Sequence, residues 1–149
     1  MQRQSGLRFT LFIAIALVWG FSFEASAQCR SVAKKQCFPQ LAPYTQNGQF
    51  NSVRLAGGET AEVQMTFYAG QNYRLMVCAE GVLGDVSFKV SSADKQEIFN
   101  SKKTDAKMWD FNVAATQQLI VLVEVPPSDS QTKIIPEGCV SILVGFKKL

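Results

Sequence analysis

The chain has 149 residues, 15 basic and 12 acidic, a net charge of +3 and no histidine. Without imidazole it lacks the Ser-His-Asp and Cys-His nucleophile systems, the usual zinc and iron ligands and the commonest general acid–base group. Its charge is too balanced for the basic footprint of a nucleic-acid-binding protein, and the pairs Lys102-Lys103 and Lys147-Lys148 read as solvated surface.

At the N-terminus, Arg3 and Arg8 accompany an apolar stretch from Phe9 to Phe23, and Ala25-Ser26-Ala27 follows as a small-x-small cleavage pattern. A span of the bilayer takes roughly 20 apolar residues, and Glu24 stops this run short of that. Residues 1–27 therefore read as a signal peptide that is removed, leaving a mature chain without a membrane span. Cys29 does not read as a lipid anchor, because Ser26 and Gln28 stand where lipoprotein processing wants a Leu-like residue and Gly or Ala.

Residues 28–51 form an irregular arm in this reading, either a short helix or a loop, broken by Pro39, Pro43 and Asn47-Gly48. From 52 to 149 the period is two. SVRLA is the first short strand. In TAEVQMTFY, Ala61, Val63, Met65 and Phe67 alternate with Glu62, Gln64, Thr66 and Tyr68. AGQN turns the chain into NYRLMVCA, after which VSFKV, EIFN and MWDFNV continue the alternation. QQLIVLVEV is the most continuously apolar run and is expected in the centre of a sheet, covered on both faces. PPSDSQTKIIPEG is a loop before the last strand, CVSILVGF. About eight short strands without a long amphipathic helix predict an all-β, single antiparallel β-sandwich of jelly-roll or Greek-key type.

The mature chain keeps four cysteines, Cys29, Cys37, Cys78 and Cys139. Their even count in an exported chain predicts disulfides, and their spacings fit no zinc site. Cys78 and Cys139 both border strand-like runs and are expected to pair, closing a loop of about 60 residues worth roughly 4 kcal/mol. Cys29 and Cys37 pair by default. Against that, eight helical residues would hold them roughly 12 Å apart, beyond disulfide reach. Either the segment is a loop closed by a bridge, or it is a helix and the bridge is absent.

No set of residues reads as catalytic, as metal-binding or as holding a cofactor. Asp85 and Asp110 are isolated acids, and a hydrolase built on two carboxylates would need them roughly 5–10 Å apart in a cleft. The acids form no calcium loop. Tyr44, Tyr68 and Trp109 are the candidate ligand contacts. Tyr68 lies on the polar parity of its strand; Trp109 shares a face with Phe111 and belongs either to the core or to an exposed platform.

GGETAEVQMTFYAGQNYRLMVCAEGVLGDVSFKV loosely resembles the small β-sandwich modules of pre-peptidase C-terminal type, in which an AGQ turn precedes the second strand. The chain departs from them in adding Cys78 and Cys139, and no attached catalytic domain is expected. PYTQNGQFN, TFYAGQNYR, WDFNVAATQQL and GCVSILVGFKK together resemble a family of small exported proteins of Bacteroidota-type bacteria. This resemblance implies a compartment and a fold, and no mechanism. The expectation is a non-catalytic protein, periplasmic or extracellular, acting by binding or assembly on a protein or glycan partner of the cell envelope. The alternative is a carbohydrate-binding module with exposed aromatics, and a carboxylate hydrolase stands third.

Overall fold

A computed structural model of the chain describes residues 24–128 and 134–148. The leader expected over 1–27 lies outside the described residues as far as 23. From Glu24 the chain is helical, in α1 (Glu24–Gln36), so the expected cleavage point after Ala27 falls in the first turn of that helix. A short 3-10 turn, Phe38–Leu41, follows. The eight strands are β1 (Thr45–Ala56), β2 (Thr60–Phe67), β3 (Gln71–Ala79), β4 (Ser87–Ser92), β5 (Glu97–Asn100), β6 (Met108–Val113), β7 (Gln117–Glu124) and β8 (Glu137–Lys148). β1 thus starts at Thr45, within the stretch expected to be an irregular arm.

The strands form two antiparallel four-stranded sheets, a first in the order β1-β8-β3-β6 and a second in the order β2-β7-β4-β5. These orders follow from one long hairpin whose tip lies between β4 and β5. It pairs β1 with β8, β2 with β7, β3 with β6 and β4 with β5, and rolling it up deals alternate pairs to opposite sheets. The pairs then join through β3·β8 and β4·β7. This is the jelly roll.

Period-two alternation supplies the core between the sheets. Tyr73, Leu75 and Val77 of β3, Val140, Ile142 and Val144 of β8, and Leu119, Val121 and Val123 of β7 all face inward and are buried. Phe67 and Phe88 are fully enclosed. One side of the sandwich is shut by ring stacking: Trp109 on β6 lies between Phe99 on β5 and Phe111, with centroids 5.2 and 4.0 Å away. Trp109 stands across from Leu75, and Met108 across from Met76 on the opposite face.

A second, smaller core lies outside the first sheet, where Ala33, Cys37 and Leu41 pack on Met76 and Leu143. Cys29, Ala33 and Cys37 recur every fourth residue and make one helical stripe, each about 1% exposed. Two disulfides strap this stripe to the sheet: Cys29 to Cys139 on β8 and Cys37 to Cys78 on β3, with Cα separations of 5.1 and 6.1 Å. All four cysteines are therefore bridged, but the expected Cys78–Cys139 and Cys29–Cys37 pairs are not those that form. Cys78 stands across from Ser141, so Cys139 is its diagonal neighbour, at a distance where direct bridging is poor. The helix keeps Cys29 from Cys37 and brings each of them over one strand cysteine.

A second expectation also changes. β7 is central in the second sheet, but no layer covers the outer side of that sheet among the described residues. Its outward Ile120 and Leu122 are half-buried because their neighbours flank them, Gln64 and Ser91 beside the one, Glu62 and Lys89 beside the other.

Candidate functional site

The side of the sandwich opposite the aromatic stack is built from small side chains. β1 and β2 are edge strands of different sheets and run along this side together. Their inward residues there include Val53, Ala61 and Val63, too short to meet across the gap. A cavity of about 260 Å³ results, floored by Val123, Val140 and Ile142 of the core. At Asn51 and Val63 it continues into a hollow between Gly48–Asn51 and Val63–Thr66. Through Gln49 that hollow adjoins a third, lined by Asn47, Tyr68, Gln71, Tyr73 and Phe146. The three make one seam along the β1/β2 side.

The backbone of β2 along this seam has a defined phase. The Gln49 amide donates to the Thr66 carbonyl across the seam at 2.9 Å, while the Val125 N–H donates to the Glu59 carbonyl at 2.9 Å on the β7 side. In an antiparallel ladder the N–H and C=O of one residue point the same way and alternate along the strand. The even-numbered residues therefore direct their main-chain groups into the seam. At Glu62 and Gln64 these groups have no partner among the described residues. The Glu62 carboxylate is exposed and pairs with no described cation. The rest of the seam is uncharged: aliphatic side chains around the cavity, neutral amides, the hydroxyls of Ser52 and Thr66, and the rings of Phe50, Tyr68, Tyr73 and Phe146.

Tyr44, Tyr68 and Trp109 are not brought together. Tyr44 lies on the outer face of the first sheet, its ring under the Arg74 guanidinium at 4.6 Å and its hydroxyl donating to Asp110 at 3.3 Å. Trp109 projects from the opposite face of that sheet, half-buried in the aromatic stack. Tyr68 follows β2, 59% exposed, at the rim of the third hollow. Its backbone N–H donates to the Tyr73 hydroxyl at 3.0 Å, which fixes the turn but leaves the ring free.

Neither isolated acid is set up as a proton donor. Asp85 pairs with Lys107. Asp110 accepts two bonds of 2.7 Å from Arg74, and the hydrogen bond to this guanidinium, more than its charge, holds the carboxyl below its ordinary value. A raised value is what a general acid requires. The same cluster raises Tyr44, chiefly by burial and then by the Asp110 charge. Arg74 also donates to the Ala42 carbonyl at 3.0 Å, so the cluster clasps the segment between α1 and β1 to the sheet. On the second sheet, Glu124 joins Lys89 at 2.8 Å and Lys102 at 3.2 Å, and the hydrogen bond from Lys89 lowers its carboxyl. No grouping of His, Cys, Asp and Glu among the described residues is suited to hold a metal ion, and no described helix is long and apolar enough to cross a membrane.

Of the seam's residues, Tyr68 is among the candidates read from sequence, at its far end; Val53, Glu62, Val63 and Gln64, around the cavity, are not. The available signal was Ala61 and Val63 at inward positions of a strand whose later inward residues are Met65 and Phe67.

No protein-family model matches the chain, and no curated protein matches it in sequence. Among solved structures it is similar to Aeromonas hydrophila PliG, a periplasmic lysozyme inhibitor of g-type lysozyme, at 13% identity and a TM-score of 0.49 over 70% of this chain and 89% of that one. A likeness of that degree does not define a shared fold and carries no property of the inhibitor over to this chain.

Proposed function

We propose that the protein is an exported, non-catalytic binding protein of the cell envelope or its surroundings, and that its partner is held along the seam between β1 and β2. The observation that carries the site is the asymmetry of the sandwich: rings shut the β5/β6 side, and small side chains leave the β1/β2 side open to the core. Apolar cavities with a few polar groups at the rim are where binding is concentrated in folded domains. Export is supported by the two disulfides, since such bonds persist in oxidising compartments. Absence of histidine and the clasped state of Asp110 support a role without chemistry of its own.

The test is a photo-crosslinker placed at Asn51, an exposed β1 residue on the seam, and at Lys89, on the outer face of the second sheet, in the exported protein. A specific adduct at Asn51, absent at Lys89 and lost in Val53→Arg, is the expected result. Val53 is 44% exposed at the seam's mouth, so that substitution changes the surface without opening the core. Equal adducts at both positions, or an adduct indifferent to Val53→Arg, would sink this reading. A glycan is the second reading. Tyr68 favours it, because its exposed ring stands beside the amides of Asn47, Gln49 and Gln71. Binding to a glycan array that disappears in Tyr68→Ala would select it.

A further inference from the structure

Resting on the seam as the binding site, we infer that its occupant is an extended peptide segment of a partner protein, which adds to the edge of β2 as an extra strand and buries alternate aliphatic side chains in the cavity. Four strands end the two sheets, and β2 differs from the other three. β5 has only four residues and runs straight into the helical turn Ser101–Thr104. β6 is backed by the Trp109 and Phe99 stack. β1 is interrupted by a register shift between Gln46 and Phe50. β2 pairs with β7 through eight consecutive residues without a shift, and contains no proline and no lysine. Proline, lysine, bulges and short length are how folded proteins blunt a sheet edge, and β2 has none of them.

The chemistry on offer selects the ligand. Outward N–H and C=O groups at Glu62 and Gln64 call for another backbone in extended conformation. A strand laid there presents every second side chain to the cavity of about 260 Å³ beside Val53, Ala61 and Val63, so those positions are aliphatic. The intervening side chains lie on the outer face of the second sheet. There the unpaired Glu62 carboxylate sits directly beside one of them, which makes Lys or Arg the complementary residue. A second copy of this chain fits less well, since it would bring another Glu62 to an edge that already carries one.

The test uses nine-residue peptides displayed on phage and selected on the immobilised, disulfide-intact protein. Selected sequences are synthesised and their affinity is read by fluorescence anisotropy. Enrichment of alternating aliphatic residues with a basic residue between them is expected. Gln64→Pro removes one outward N–H without touching the β2·β7 ladder, because proline is tolerated where the N–H faces away from the sheet. It should weaken binding by about tenfold or more, whereas Gln64→Ala should stay within about twofold of wild type. Peptides N-methylated at alternate residues make the same test from the ligand side, and only one parity should lose binding. Glu62→Lys should shift the selection toward acidic peptides.

Binding that survives both Gln64→Pro and N-methylation overturns strand addition. If Val53→Arg still abolishes it, the seam remains the site and only the mode falls; if Val53→Arg is also harmless, both readings fall. A selection that enriches no peptide overturns the inference and leaves the seam to the crosslinking test. Sedimentation showing a wild-type dimer that Gln64→Pro makes monomeric places a second copy on the edge and overturns it too.

Discussion

Replacing Cys29 and Cys139 together by Ala removes the bond that closes the longer loop, with a sequence separation of 110. On the chain-entropy model such a loop contributes about 4–5 kcal/mol, and the Cys37–Cys78 bond, with a separation of 41, about 4 kcal/mol. The loops are nested, so each variant keeps α1 tied to the sheet at one end and the two losses do not add. Urea unfolding under non-reducing conditions, followed by tryptophan fluorescence, measures each. Either double variant should lose about 3–5 kcal/mol relative to wild type. Removing all four cysteines should free α1 and expose Met76 and Leu143, which dye binding to apolar surface would report. Peptide mapping without reductant should join Cys29 to Cys139 and Cys37 to Cys78. A map joining Cys78 to Cys139, or a loss below about 1 kcal/mol in both double variants, would refute the strapped helix.

Gly145→Ala should cost about 1–3 kcal/mol, because the added Cβ would stand 2.7 Å from the Tyr44 Cβ and 3.3 Å from Leu41; unchanged urea stability would contradict that close approach. Tyr73→Phe should cost about 1 kcal/mol through its bond to the Tyr68 N–H, while Tyr68→Ala should stay within about 0.5 kcal/mol; thermal melts that reverse this order would move Tyr68 into the core. Arg74 holds Asp110 below its unfolded value, so the unfolded chain binds the extra proton and the clasp's stability is present above about pH 4 and lost as pH falls through the folded value. Asp110→Asn should accordingly flatten the decline of stability on acidification, and an unaltered acid-unfolding profile would show that the clasp contributes nothing.

Strand positions were legible because alternation is local: TAEVQMTFY needs only one buried face to declare its parity, and QQLIVLVEV its central place. Disulfide partners were not, although a clue was present. Cys29, Ala33 and Cys37 are spaced by four, the period of a helix face, and a helix there forbids the pair that nearness in sequence suggests. Trp109 was ambiguous because parity gives two faces and not which one looks inward; its register with Leu75 decides that. The seam was hidden for a related reason. Glu62 and Gln64 look like ordinary outward residues, and only the strand order makes their backbone an edge.

The strap between α1 and β8 also sets how the molecule bears tension. Cys29 precedes every strand, and Cys139 lies in the last. A pull applied on the helix side and resisted beyond β8 passes through one covalent bond into the middle of the first sheet. All seven earlier strands hang from that bond as an unloaded loop. While the bond is intact, their ladders need not resist the pull at all; once it is reduced, the force crosses the Cys37–Cys78 bond instead and loads the strands from β4 onward, while β1 and β2 stay shielded in the inner loop.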